Sequence, residues 1–308
     1  MSLAKYAHAL GFDPEPQSDC TTALVFVLDS GYLPGLKTLC YSLCVHKSLL
    51  HLPVLVISND PAVVNDRFIN LIADQTRLIS EQEISEFQGI SAKRVEKRLR
   101  LKWIPKYTYL KWFMFDEYGY DRLLFIDADI VCLKAIDDLL EMTEADLIGG
   151  PVFGKSLRYG KEGKLSQQAM DQKIWKFSFR KEPKGTRLNT GVLGVSRKLL
   201  NPAFRNELIA YAERHEFSVE QVALRSYVTE TAKASLKLIS PTYNFNHFYL
   251  DRLSAHFQTR ALGKIKLLHF AGALENPWTL SSPRTLPEFI WHAYERDRKL
   301  SEALVGLA

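Results

Sequence analysis

Asp127 and Asp129 stand two residues apart in the segment FIDAD, at the end of an apolar run. In extended backbone, side chains i and i+2 project to the same face. Two carboxylates on one face repel each other unless a cation sits between them. Hard oxygen ligands of this kind suit Mg²⁺ or Mn²⁺. Such an ion can bridge to a diphosphate and neutralise its charge as it departs. Asp-X-Asp strings also occur in solvated turns, so these residues alone leave both readings open.

A second segment has the spacing of a phosphate loop. Residues 149–156 (GGPVFGKS), opening at Gly149 and closing at Ser156, match G-x-x-x-x-G-K-[ST] and follow a predicted strand. A phosphate loop works through consecutive backbone N–H groups, and Pro151 has none. Two further glycines follow Lys155 where a helix should begin. The segment reads better as a glycine-rich turn. A P-loop nucleotide-binding protein built on it is one rival class.

Groups of this kind act only if the chain carries them to one place. Residues 23–28 (ALVFVL) form a short apolar run that reads as a buried strand, with Asp29 directly after Leu28. Apolar positions at helical spacing follow over 36–46. Residues 53–58 (PVLVIS) read as a second buried strand, 62–72 as a helix, TRLIS as a third strand and 103–117 as an aromatic-rich helix. RLLFIDAD, residues 122–129, is a strand that ends in carboxylates. Alternating strands and helices predict an α/β fold with an open, mostly parallel sheet flanked by helices. In such sheets ligands sit beyond the carboxyl ends of the strands. Asp29, Asp127 and Asp129 meet there if both strands are central. ADLIGG, TGVLGV and KIKLLHF read as later strands, and 199–215 and 219–229 as helices. The expected organisation is a polar tail or cap over 1–22, a single domain over 23–280 and a helical extension over 281–308.

The 308 residues are 46% hydrophobic and 24% charged, enough to build a real core. The net charge of +5 suits an enzyme of anionic substrates and is too small to imply nucleic acid. Cys20, Cys40, Cys44 and Cys132 lack metal-type pairing and read as reduced core thiols. No apolar run has the length of a membrane span, and the N-terminus has no signal-peptide character. A cytoplasmic protein is expected.

Several pieces then recur in order: LDSGYLPG, FIDADIV, LNTGVLGVS, VEQ, YNFN and HFAGALENPW. Over about residues 23–278 the series resembles glycosyltransferase family 8, which includes glycogenin and bacterial lipopolysaccharide galactosyl- and glucosyltransferases. The resemblance implies a GT-A type, Rossmann-like single domain. It implies a UDP-sugar donor such as UDP-glucose or UDP-galactose, Mn²⁺ (or Mg²⁺) as cofactor, and retention of anomeric configuration.

Carried onto this chain, the resemblance makes Asp127 and Asp129 the family's Asp-X-Asp metal ligands and His269 the histidine that completes the site. Asp29 matches a position that hydrogen-bonds uracil and Tyr32 one that packs on its ring. Lys111, sixteen residues before Asp127, has the spacing of a donor-contacting lysine. Asn189 matches the asparagine that holds sugar hydroxyls, and Glu220 with Gln221 matches an Asp-Gln pair beside the donor sugar. Asn189, Glu220 and Gln221 are thus the expected catalytic group. Leu28, Ala128, Thr190, Gly191 and Gly272 join the expected nucleotide-sugar contacts.

The chain departs from the family pattern at three points. Thr190 stands for serine or alanine, and Glu220 for aspartate. In HFAGALENPW one residue is added, and Glu275 and Asn276 stand where a diphosphate-binding lysine is expected. Lys111, or the backbone of Ala271, Gly272 and Ala273, is expected to serve the diphosphate instead, with Lys264 and Lys266 as weaker candidates. Without that lysine, a UDP-sugar-binding protein that does not turn over is a second rival. A glycan, lipid-linked or protein acceptor is expected. The basic run 93–102 (KRVEKRLRLK) leaves peripheral membrane contact open.

Overall fold

The computed structural model describes residues 3–14, 21–85, 87, 90, 106–152, 165–179, 187–215, 217, 219–272 and 275–307. Its centre is a seven-stranded sheet in the order β3-β2-β1-β4-β7-β6-β8. The strands are β1 (Thr22–Val27), β2 (Val54–Ser58), β3 (Gln75–Leu78), β4 (Arg122–Ile126), β6 (Leu147–Val152), β7 (Arg187–Ser196) and β8 (Leu236–Leu238). β3, β2, β1 and β4 run parallel, as do β6 and β8, while β7 runs antiparallel to both β4 and β6. The sheet is therefore mostly parallel, as its sequence predicts, and β1 lies beside β4.

The continuous apolar runs follow from burial on both faces. Leu24, Phe26, Val54, Val56, Leu124 and Ile126 pack on one side, with helices Leu3–Ala9, Leu33–Val45 and Arg67–Ile72. The alternate residues Ala23, Val25, Leu55, Ile57, Leu123 and Phe125 pack on the other, with Lys106–Phe115, Pro202–Arg214 and Glu220–Thr231.

A smaller sheet carries the chemistry onward. β5 (Ile130–Cys132) pairs antiparallel with β10 (Leu267–His269), which pairs parallel with β9 (Phe245–Asn246). A third core lies around it, containing Phe245, Leu268, Phe270 and Trp291. Trp291 belongs to the helix Leu286–Leu304 and is fully buried. Truncating a side chain so placed costs about 3–5 kcal/mol. At the other end of that helix Tyr6 donates to Glu302 at 2.8 Å, and Arg298 pairs with the same carboxylate. Tyr6 and Trp291 thus tie the two terminal helices to the body of the fold.

Two local departures have different standing. The helix expected over 62–72 is broken into Pro61–Val64 and Arg67–Ile72, because the Asp66 carboxylate accepts from the backbone N–H groups of Phe68 and Ile69 and starts a new helix. The aromatic segment winds as a 3-10 helix over Lys106–Phe115. It buries successive residues Trp112, Phe113, Met114 and Phe115, and nothing in its contacts explains the tighter winding.

Candidate metal and nucleotide-sugar site

Asp127 and Asp129 lie in the turn that leads from β4 to β5. The turn is pinned on both sides. The Asp127 N–H donates to Gly191 O at 2.8 Å, and the Phe270 N–H to Asp129 O at 2.9 Å. The register sets His269 opposite Ile130, beside Asp129. His269 Nε2 lies 3.1 Å from Asp129 Oδ1 and 3.6 Å from Asp127 Oδ2. One ligand atom from each of the three residues falls within 4.8 Å of the others, the one such grouping among the described residues. Two carboxylate oxygens and one imidazole nitrogen fit Mn²⁺ or Mg²⁺ by hardness, with the nitrogen favouring Mn²⁺. The side chains are 17%, 13% and 3% exposed in the order Asp127, Asp129, His269, so the cluster is enclosed yet reachable.

Lys111 enters from the 3-10 segment. Its Nζ lies 2.7 Å from Asp127 Oδ1 and 5.1 Å from the centre of the Phe125 ring. Burial pulls the Lys111 pKa down, but Asp127, then Glu220 and Asp129, outweigh it and the ammonium is held above its ordinary value. Burial is the largest single influence at both acids, with opposite outcomes. It raises Asp127, with Asp129 adding to the rise and Lys111 opposing it. At Asp129 burial is overcome by His269 and the carboxyl is held low.

The expected sugar-side residues gather next to this cluster. Asn189, Thr190 and Gly191 lie on β7, and Glu220 and Gln221 open the helix Glu220–Thr231. Thr190 donates to Glu220 Oε1 at 2.9 Å. Asn189 Oδ1 accepts from the Gly191 N–H at 2.8 Å and from Asn244 Nδ2 at 2.7 Å. Asn244 Oδ1 in turn lies 2.6 Å from His269 Nδ1. Asn244 falls in the segment YNFN, but its contact with His269 depends on the β9-β10 pairing, which the sequence does not show.

The turn after β1 forms the other wall. Asp29 caps it by accepting from the Gly31 N–H at 2.9 Å. The Leu28 side chain is buried in the core, and so is Ala128, whose carbonyl would be 2.5 Å from a Cβ on Gly35. Gly35 therefore permits the close approach of the acid-bearing turn. Tyr32 is 38% exposed and packs edge-on against Trp278, with ring centres 5.4 Å apart. Burial, then the charges of Asp129, Asp127 and Asp29, push the Tyr32 phenol up to about 12. Trp278 Nε1 donates to Gly31 O at 3.0 Å, and Asn276 hydrogen-bonds Tyr32. The tail segment thus folds over the turn.

The cation question is partly answered by position. Glu275 points away, toward Arg284 at 3.6 Å. Lys266 pairs with Asp138 and Tyr243, and Lys264 is exposed on the approach to β10. Among the described residues, Lys111 is the lysine paired with these acids. Gly272 has φ of 67°, in the left-handed region that favours glycine. Ala273, Cys20, the basic run 93–102 and residues 153–156 lie outside the described residues. The first half of the phosphate-loop pattern is not a loop: Gly150, Pro151 and Val152 are paired in β6 with Asn189, Leu188 and Arg187. A Cβ on Gly150 would lie 2.4 Å from Asn244 Nδ2, which gives that glycine a packing role. A cleft beside His269 is lined by Val152, Asn189, Asn244, Asn246 and Tyr249.

The mostly parallel seven-stranded sheet flanked by helices, with a smaller sheet beside it, is the GT-A fold of the solved structures to which the chain is similar. The chain is similar to the glycosyltransferase GlyE of Streptococcus pneumoniae TIGR4, with 18% identity, a TM-score of 0.56 and coverage of 92% of this chain and 62% of that chain. It thus spans less than two thirds of GlyE. It is similar to the galactosyltransferase LgtC in complex with donor and acceptor sugar analogs, with 15% identity, a TM-score of 0.55 and coverage of 89% and 95%. An active-site mutant of LgtC, with glutamine replaced by glutamate, gives 13% identity, a TM-score of 0.59 and the same coverage, 89% and 95%. Among curated proteins no sequence match was found. The chain belongs to glycosyl transferase family 8, whose model matches residues 23–281.

Proposed function

We propose that the protein is a retaining hexosyltransferase that uses a UDP-sugar and a divalent metal. The observation that carries this reading is the Asp127, Asp129 and His269 cluster at the carboxyl edge of β4, beside the Asp29–Tyr32 turn. A divalent ion held there would stabilise the charge that develops on the departing UDP. Asp29 and Tyr32 receive the uracil, the acid accepting from the base N–H and the ring packing on its face. Lys111 supplies a positive charge beside Asp127, where the diphosphate must lie. Asn189, whose Oδ1 is already engaged, offers its amide nitrogen to a sugar hydroxyl. Gln221, at a position that resembles the family's glutamine, and the buried Glu220 would lie beside the donor sugar. A glycan, lipid-linked or protein acceptor completes the proposed reaction.

A cytoplasmic setting belongs to the same proposal and rests on the buried free thiols Cys40, Cys44 and Cys132. No helix among the described residues is long and apolar enough to cross a membrane.

Glu275 and Asn276 where the lysine is expected favour the second reading, a UDP-sugar-binding protein without turnover. Release of UDP in a coupled assay separates the two. The metal-dependent reading is tested by calorimetric titration of UDP with Mn²⁺ and with EDTA. Asp129→Asn should abolish the Mn²⁺-dependent part of the affinity and leave the fold intact. Equal UDP affinity of the wild type under both conditions overturns the proposal.

A further inference from the structure

The geometry points to Asn244 as a positioning residue that fixes the proton of His269 on Nδ1 and so turns Nε2 into a metal-ready lone pair. The inference rests on the reading above that Asp127, Asp129 and His269 hold a divalent ion.

The argument starts from a group whose direction is not negotiable. A backbone N–H only donates. The Gly191 N–H meets the Asn189 side chain at 2.8 Å, so the atom facing it is the amide oxygen. Asn244 meets the same oxygen at 2.7 Å, so that end of Asn244 is its NH₂ group. The other end is then its oxygen, and this lies 2.6 Å from His269 Nδ1. An amide oxygen only accepts, so Nδ1 carries a hydrogen. In the neutral ring Nε2 is left bare, 3.1 Å from Asp129 and 3.6 Å from Asp127. A lone pair aimed at two carboxylates is repulsive until a cation enters between them.

Without this chain the neutral ring is free to carry its hydrogen on Nε2 and donate to Asp129, with no ion present. Asn244 disfavours that tautomer by requiring the hydrogen on Nδ1. A doubly protonated ring still donates to Asp129 across the 3.1 Å contact, and a divalent ion takes the place of that second hydrogen.

The slot is built for the purpose. Asn244 is 5% exposed and His269 2%, so neither can exchange its partner for bulk water. Two glycines make the room. A Cβ on Gly150 would lie 2.4 Å from Asn244 Nδ2, and one on Gly191 2.2 Å from His269 Cε1. Partners that orient a ligating histidine matter about as much as the ligand set itself, since removing one lowers metal affinity roughly 10–100-fold. Here the orienting chain also runs through Asn189, so the metal site and the proposed sugar contact share one line of hydrogen bonds.

The test is Mn²⁺ binding without donor, read by the free-ion signal in electron paramagnetic resonance, for wild type, Asn244→Leu, Asn189→Leu and Asn189→Asp. Asn244→Leu should lose roughly 10–100-fold in Mn²⁺ affinity. Asn189→Asp keeps an acceptor for both donors and should stay close to wild type, whereas Asn189→Leu frees the Asn244 amide to turn and should fall with Asn244→Leu. The double Leu variant should be no worse than Asn244→Leu alone, because both act through one chain. Nitrogen-15 spectra of the Mg²⁺-loaded wild type should show His269 with hydrogen on Nδ1 only. Wild-type affinity in Asn244→Leu, or a loss in Asn189→Asp as large as in Asn189→Leu, overturns the proposal. If Asn244→Leu does not fold, the Asn189 pair still decides it. A wild type that binds no Mn²⁺ overturns the metal reading itself, an outcome distinct from the others.

Discussion

The hydroxyl of Thr190 donates to Oε1 of Glu220 across 2.9 Å, and both residues are buried. These are two of the positions at which the chain departs from the family pattern that it resembles. They meet each other. Glutamate reaches one methylene further than aspartate, and threonine supplies the hydroxyl that receives it. A hydrogen bond to a buried charged group is worth about 1.5–3 kcal/mol. A denaturant-unfolding cycle of Thr190→Ala, Glu220→Gln and the double variant should therefore show a coupling of about 1.5–3 kcal/mol. Thr190→Ser should retain most of it. Additive losses would mean that the contact carries no energy.

Lys111 makes a two-signed prediction. It sits 2.7 Å from Asp127, in the place where a divalent ion would compete for the same carboxylate. Lys111→Ala should therefore bind Mn²⁺ alone more tightly than wild type. It should bind UDP in the presence of Mn²⁺ about tenfold more weakly or worse, since a charge-assisted hydrogen bond to phosphate is lost. Lys264→Ala and Lys266→Ala should change neither value as much. Calorimetry with Mn²⁺ alone and then with UDP reads both signs. UDP affinity unchanged in Lys111→Ala would leave the backbone after His269 as the diphosphate contact.

Gly191 gives a steric prediction. A Cβ there would lie 2.2 Å from His269 Cε1 and 2.9 Å from Asn189 Oδ1. β7 is paired with its neighbours on either side of Gly191, and the Gly191 carbonyl is tied to the Asp127 N–H at 2.8 Å. The imidazole must move, so Gly191→Ala should weaken Mn²⁺ binding while far-ultraviolet circular dichroism stays native. Gly150→Ala should act through Asn244 in the same direction. Mn²⁺ affinity equal to wild type in both would show that the slot yields freely.

What the sequence discloses here follows distance along the chain. Asp127, Asp129 and Asp29 were legible because each ends a strand, and strand ends of a mostly parallel sheet share an edge. His269 became legible only through the resemblance, since its approach depends on β10 pairing with β5 from far along the chain. Asn244 was visible as part of YNFN but without a role, because hydrogen-bond partners across sheets leave no periodicity. Gly149 and Gly150 suggested a phosphate loop, whereas Gly150 is a strand residue that makes room for Asn244. The C-terminal helix looked like an extension because its burial of Trp291 and its link from Glu302 to Tyr6 are also long-range.

The stereochemical prediction draws on the same pair that opens this section. Retention can arise from a covalent glycosyl intermediate or from acceptor attack on the face that the UDP leaves. A covalent route needs a nucleophile, and on the proposed reading the carboxylate nearest the sugar is Glu220. One of its oxygens is already taken by Thr190, the side chain is 7% exposed, and the Lys111 charge lies beside it. A carboxylate so tied is a poor nucleophile, because attack would require it to give up a hydrogen bond and a favourable charge. Gln221 is a weaker nucleophile still. On the proposed reading, front-face attack is therefore the expected route, with Glu220 and Asn189 orienting the sugar. The expected product is α-linked when the donor is a UDP-α-hexose, read from its anomeric proton signal. Intact-mass spectra of enzyme quenched with donor alone should show no added hexose, and Glu220→Gln should slow transfer without abolishing it. A hexose adduct on Glu220 would establish double displacement instead, and a β-linked product would remove retention altogether.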